Sequence, residues 1–458
     1  MSAETPLLST DAPLKKRTVI GWIAFSLTWN ISNSILYATL FPKLLKKVSD
    51  DPSTLYSAAS TLTTILASIL LPALGILADK SASIKNYLIC SAIVANAINF
   101  LFPFFHRFPQ RISVPIAIAS YVLGIGLLRL AVMCNNAQLG FFPASKRIPL
   151  SLLSNLIGFS CALLGFVWIS SDKLLPKCDD YRFISWFCKS SRIEPTQLSL
   201  YISVLTLCLY PLLFMSPRDK NSSQNSTTLS LIIKDLFKQL KNIHVLPKYS
   251  TLKQFLYCYT MYSTSGTVWS IFYPQFLDDL FDLELAVTSL SMFFFLASFV
   301  LGVLTGMVFN KLRRNSSLSG DIKILLSQNF LFFIFFITIF YFCNVGFSRR
   351  LLITQVCSSL IGFLYSWNAS ISRAVMSKLT PASENALFMG LFSTATYLGI
   401  FFVSFLVWLI KSYQNVLPFT LEVPLLYLPV MLVVVSLPSF VSLINLAPKV
   451  DAASSLIN

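Results

Sequence analysis

Twelve stretches of this chain are apolar and long enough to cross roughly 30 Å of hydrocarbon as helices. They fall at about 19–41, 55–78, 86–105, 113–135, 148–170 and 198–216, then at 253–276, 285–309, 322–343, 350–372, 386–410 and 421–445. A polar interval divides them into two sixes. The expected architecture is therefore an all-α polytopic membrane protein with twelve transmembrane helices in two six-helix pseudo-repeats. Its parts are an N-terminal tail (1–18), a first bundle (19–216), a linker (217–252), a second bundle (253–445) and a C-terminal tail (446–458).

A net charge of +16 would suit a nucleic-acid partner, but only 12% of the residues are charged and they gather in short loops. The hydrophobic share is 55%, with 40 Phe, and the mean hydropathy is +0.70. No soluble core needs that much apolar surface, whereas a chain dissolved in lipid does. The expected partners are the bilayer and a small-molecule substrate. No nucleic acid is expected, and nothing points to a particular protein partner.

Basic residues set the orientation. Lys15, Lys16, Arg17, Lys80, Lys85, Lys146 and Arg147, then Lys311, Arg313, Arg314, Arg373, Lys378 and Lys449, fall on one side. The opposite loops are balanced or acidic, as at Asp278, Asp279, Asp282 and Glu284, although Arg107, Arg111, Arg349 and Arg350 run against the trend. The positive-inside rule then puts both termini in the cytosol. No cleavable signal peptide is evident, because a polar, basic N-terminus runs directly into a full-length span. Glu4-Thr5-Pro6-Leu7-Leu8 has the form of an acidic dileucine sorting signal for lysosomes or vacuoles. Cys178 and Cys188 share the loop before span six and can pair if it faces a lumen.

One short pattern occurs twice. Gly75-Ile-Leu-Ala-Asp79-Lys80 closes span two, and Gly306-Met-Val-Phe-Asn310-Lys311 closes span eight. A glycine near a helix end lets a neighbour approach, and the acid or amide beyond it can bond backbone groups of an adjacent helix. Their matched positions in the two halves suggest an internally repeated transporter. The bland alternative is two similar basic loops.

Within the linker, Leu229, Ile232, Ile233, Leu236, Phe237, Leu240 and Ile243 recur at helical spacing, opposite Lys234, Lys238 and Lys241. This predicts an amphipathic helix under the membrane, acting as a brace between the halves or simply as an interfacial anchor. Asn221, Asn225 and Asn315 stand in glycosylation sequons on the predicted cytosolic side, so they should be unmodified.

Enzyme chemistry finds little support. His106 and His244, the two histidines, lie in separate loops, and no phosphate-binding glycine loop is present. No metal or other cofactor is expected, and a secondary transporter with a site mid-membrane between the halves remains. Polar groups inside spans carry the candidates. Arg129, beside Gly124 and Gly126 in span four, can hold a substrate carboxylate. Alternatively, it snorkels to the headgroups or bonds nearby carbonyls. Asn30 and Asn33 share a face of span one. Tyr262 and Trp269 with Tyr259, Ser263, Ser265 and Gly266 make span seven aromatic and hydroxyl-rich, and Asn368 joins Tyr365 and Trp367 in span ten. Helix–helix bonding and aromatic packing are the competing explanations for these groups.

The segment Ser372-Arg373-Ala-Val-Met-Ser-Lys-Leu-Thr-Pro381-Ala-Ser-Glu384-Asn-Ala-Leu-Phe388-Met-Gly390 resembles the signature between spans ten and eleven of the autophagy-related vacuolar amino-acid effluxers, a branch of the major facilitator superfamily. Gly21-Trp22, Phe41-Pro42, and Leu71-Pro72-Ala-Leu-Gly75 with Asp79 are similar to that family's spans one and two. The resemblance implies the major facilitator fold, a vacuolar or lysosomal membrane, and export of neutral amino acids such as leucine, isoleucine and tyrosine to the cytosol after autophagy. It also makes Arg373 and Glu384 a candidate gate pair, alongside Asp79, Lys80, Asn310 and Lys311. A static surface pair is the alternative. The family's Gly-Pro in span eleven is replaced by Leu398-Gly399-Ile-Phe-Phe, and membrane carboxylates that could carry a proton are scarce. A transporter of another solute, and a non-transporting scaffold or receptor, stay open.

Overall fold

The computed structural model describes residues 16–45, 48–49, 52–81, 83–169, 195–217, 234–238, 241, 249–281, 285–313, 317–344, 349–381, 384–412 and 428–455. These form α1 (Lys16–Ile31), α2 (Phe41–Leu45), α3 (Pro52–Lys80), α4 (Ile84–Asn99), α5 (Gln110–Gln138), α6 (Ala144–Ile169) and α7 (Pro195–Leu209). The second series comprises α8 (Ser250–Phe281), α9 (Leu285–Leu312), α10 (Leu318–Asn344), α11 (Arg350–Leu379), α12 (Asn385–Ser412) and α13 (Leu428–Ser455). No strand occurs among the described residues. Seven helices among them are long and apolar enough to cross a membrane, and Ser199–Met215 and Val430–Leu446 are shorter apolar helices.

Each predicted run has its helix, with α1 and α2 sharing span one across a π-helical stretch, Ser32–Leu40. Hydropathy places the helix ends less well. The last helix runs to Ser455, past the apolar run that ends near residue 445, because a helix continues while each N–H has a carbonyl four residues back. Prolines 72, 115, 149, 438 and 448 all lie inside helices. Transmembrane helices tolerate this because neighbouring groups satisfy the freed carbonyls. Cys178 and Cys188, the dileucine stretch and the three sequons lie outside the described residues.

The helix pairing is duplicated. In the first half α3 packs on α5, α4 on α5 and α1 on α6; in the second, α9 packs on α11, α10 on α11 and α8 on α12. Between the halves, α3 lies along α12 and α9 along α6, the same contact with the partners exchanged. The apolar interior follows this plan. One cluster of buried residues comes from the first half alone, including Tyr37, Phe41 and Tyr121. A second comes from the other half, including Trp269, Tyr273 and Phe336. A third and larger one straddles the interface, joining Leu71 and Leu130 to Tyr259, Tyr262 and Phe388. Outward-facing side chains such as Ile69, Leu164, Leu301 and Phe330 are exposed and apolar, as a lipid-facing surface requires.

Candidate functional site

Arg129 precedes the end of α5 by nine residues, about 14 Å along the helix at 1.5 Å per residue. The side chain is only 9% exposed, and its guanidinium lies 4.3 Å from the centre of the Tyr397 ring on α12, across the interface. Nη1 donates to Thr64 Oγ1 on α3 over 3.3 Å. Among the described residues, this is the single hydrogen bond of a group with five N–H donors, and no carboxylate pairs with it. An aromatic face holds a guanidinium without using its edge donors, so the planar fork stays presentable to a carboxylate.

Across from Arg129 the second half contributes a chain of hydroxyls and amides. Thr396, next to Tyr397, donates to the Tyr259 hydroxyl over 3.0 Å. The Tyr259 ring stacks on Phe392 at 3.9 Å and meets Tyr262 edge-on at 5.5 Å. Tyr262 and Ser372 share a short hydrogen bond, and Ser372 donates to Asn368 Oδ1 over 3.1 Å. Asn368 is 1% exposed, and its Nδ2 has no partner among the described residues. Thr267 and Tyr365 are bonded at 2.7 Å nearby. This face offers buried polar groups beside the interface.

Arg373 leaves the second half and bonds to the first. Its Nε donates to Ser151 Oγ and Nη2 to the Ser151 carbonyl, each at 2.9 Å. Nη1 and Nη2 also reach Asn136 Oδ1 and Asn155 Oδ1, each at 3.2 Å, and the Trp22 ring lies 5.6 Å away. The structure therefore does not bring Arg373 to Glu384, which instead accepts a hydrogen bond from the Tyr249 hydroxyl at 3.2 Å. Nearby, buried Arg147 donates to Phe142 O at 3.0 Å and Gly140 O at 2.9 Å, and also to Ser377 O across the interface.

The two copies of the repeated pattern behave differently. Asp79 accepts the backbone N–H groups of Ala386 and Leu387, at 2.9 and 2.8 Å, in the first turn of α12. The carboxylate thus caps the helix that crosses from the other half and answers its positive dipole end. Gly75 makes that contact possible, since a Cβ there would stand 2.5 Å from the Ala386 carbonyl oxygen. Lys80 pairs with Asp235 of the linker. In the second copy, Asn310 borders a small crevice with Gly306, Ile148 and Trp367, and Lys311 is exposed. Beside this crevice, Asp321, 1% exposed at its side chain, joins Arg313 at 2.6 Å to Lys378 at 2.8 Å.

Several sequence candidates lie elsewhere. Asn30 donates to the Ser26 carbonyl of its own helix at 2.7 Å and packs tightly on Gly158 of α6. Asn33 is half-buried in the π-helical stretch. Trp269 belongs to the aromatic cluster of the second half, 5.7 Å from Tyr273 and 5.5 Å from Phe336. Conversely, Thr64, Tyr397, Ser151, Asn155 and Asp321 were not singled out by the sequence. Asn155, an amide near the middle of span five, was the one detectable signal among them, because such a group costs free energy in lipid unless it is bonded.

No protein-family model matches the chain, and no curated protein matches it. Solved structures do. The human organic anion transporter MFSD10 (TETRAN) superimposes with a TM-score of 0.69 at 12% identity, over 94% of this chain and 100% of that one. A bacterial homologue of the iron transporter ferroportin in its outward-facing state gives 0.68 at 13%, over 94% and 99%. The major facilitator superfamily proton:xylose symporter XylE gives 0.65 at 12%, over 94% and 95%. At these identities the likeness is one of fold: the chain has the all-α major facilitator fold. The neighbours that share it are membrane transporters, not enzymes.

Proposed function

We propose that this chain is a secondary transporter that moves a small, carboxylate-bearing organic solute across a membrane by alternating access. The observation that carries the reading is Arg129, a buried cation inside a predicted span, held by a Tyr397 ring from the opposite half and with no carboxylate beside it among the described residues. A group that spans the interface there senses both the bound solute and the relative position of the halves. The contacts of Asp79, Arg147 and Arg373 join the halves at the predicted cytosolic end, so the state described is closed there.

The resemblance around Ser372–Gly390 supports a narrower version, export of neutral amino acids from a vacuole or lysosome into the cytosol with both termini cytosolic. A second reading, a solute other than an amino acid, is favoured by the donors left over among the described residues, the Arg129 guanidinium edge and Asn368 Nδ2. In that respect the neighbour named as an organic anion transporter is a relevant likeness.

The test is efflux of radiolabelled leucine, tyrosine and simple organic acids from vesicles that contain the purified protein. Flux should be saturable and should fall at least about tenfold in Arg129→Ala, as expected when a charged hydrogen bond to the solute is removed. If well-folded wild type moves none of these solutes in either direction, the transport reading fails and a scaffold or receptor takes its place.

A further inference from the structure

The charge balance of the interior specifies the solute more closely. An amino acid brings a carboxylate and an ammonium, and the ammonium needs acidic or strongly accepting partners once water is excluded. Acidic side chains are nearly missing from the twelve apolar runs of this chain. Its 19 acidic residues all fall outside the twelve apolar runs except Glu422, the second residue of the last one. The three that border the interface are already engaged: Asp79 by the start of α12, Asp321 by Arg313 and Lys378, and Glu384 by Tyr249.

What the site presents is donors. Arg129 makes one hydrogen bond among the described residues, at the long distance of 3.3 Å, to a hydroxyl. Asn368 is 1% exposed and uses its oxygen to accept from Ser372, and its Nδ2 has no partner among the described residues. The two are connected through Tyr397, Thr396, Tyr259, Tyr262 and Ser372, each link being a contact or a chain neighbour. Thr396, Tyr259, Tyr262 and Ser372 take part in hydrogen bonds along this path, and the donors left over among the described residues are a guanidinium edge and an amide N–H. Both ask for acceptor oxygens.

Resting on the transport reading above, we infer that the solute is a net organic anion, with a carboxylate for Arg129 and a second acceptor oxygen for Asn368 on a small apolar or aromatic body. A monoanion neutralises the buried guanidinium that is least bonded among the described residues, since Arg373 makes four contacts to Ser151, Asn136 and Asn155 and Arg147 makes three to backbone carbonyls. A zwitterion would offset one buried charge and introduce another.

Leucine, its keto acid α-ketoisocaproate, and leucinamide share one carbon skeleton and differ in charge, so they isolate the effect. Binding to the purified full-length protein is read by thermal stabilisation in detergent, and flux is read separately in vesicles. The keto acid should bind at least about tenfold more tightly than leucine, with leucinamide not binding. Arg129→Gln should abolish the preference and Asn368→Ala should reduce it several-fold, while Arg129→Lys should retain part of it. Keto-acid binding without flux would sink the transport reading and keep this one. Leucine binding as tightly as the keto acid, or no binding of the keto acid to folded wild type, would overturn the inference.

Discussion

The backbone N–H of Ala386 donates to the Asp79 carboxylate across 2.9 Å, although 307 positions separate the two residues. This bond, with its twin from Leu387, ties the end of the second span to the start of the eleventh. It is made where the helices are closest: the Gly75 backbone meets Ala386, and that of Gly390 meets Leu71 and Pro72. A carboxylate, a helix N-terminus and two glycines thus form one seam between the halves. The seam has to part if the predicted cytosolic end is ever to open.

Removing the Asp79 carboxylate should therefore favour opening. Losing a side-chain cap costs about 0.5–2 kcal/mol, and each 1.4 kcal/mol is a factor of ten. Asp79→Ala should raise the alkylation rate of a cysteine introduced at Ser68, which is buried and accepts from Thr394 across the same interface. A rise of roughly threefold to thirtyfold over the Asp79 parent is expected from that cap energy. An unchanged rate would show that the seam does not control access.

Asp321 should matter more for stability than for gating. It lies within one half, buried, with Arg313 and Lys378 on its two oxygens. Breaking such a cluster by removing one partner leaves charge stranded and typically costs about 3–5 kcal/mol. Asp321→Asn should lower the melting temperature of the purified protein sharply, while Asp321→Glu should lose less. A melting curve like that of wild type would mean that the two cations find water instead.

Most of the architecture was legible in the sequence because lipid imposes it. Apolar runs of about twenty residues report spans directly, and the paired patterns ending at Lys80 and Lys311 reported the repeat. The pattern also pointed to an acid bonding a neighbouring helix, and Asp79 does so. The site was read less well. Arg129 was singled out because a cation in an apolar run stands out, whereas Tyr397 and Thr64 look like ordinary span residues until the halves are assembled. Asn30 and Trp269 lie apart from Arg129: their types suit a cavity, while Gly158 and Phe336 pack against them. The expected pairing of Arg373 with Glu384 came from the family resemblance. The guanidinium instead turns to Ser151, Asn136 and Asn155, which lie more than two hundred positions away.

The linker supplies the last prediction. Within its described turn at residues 234–238, Leu236 packs with Ile76 and Leu387, directly over the Asp79 seam, and Asp235 pairs with Lys80. Hydrogen bonding to Lys80 is the main cause that holds the Asp235 carboxyl below its ordinary range; desolvation opposes it, and attraction to Lys80, Lys238 and Lys234 adds to it. A depressed acid stabilises the docked form at every pH above its ordinary value and ceases to do so only as pH falls through the lowered one. Docking should thus be constant from neutral pH down to a mildly acidic one and weaken only in strong acid. With side-chain exposures of 36% and 32%, the ion pair contributes little, so Asp235→Asn should be nearly silent. Leu236 is half-buried, and losing part of a leucine's burial, about 1 kcal/mol, corresponds to a shift of roughly fivefold. Leu236→Asp should therefore speed alkylation at Ser68→Cys by about that factor while Asp235→Asn does not, the two rates being compared at one pH and ionic strength. Equal effects from both substitutions would assign the docking to charge, and no effect from either would make the linker an anchor without a mechanical role.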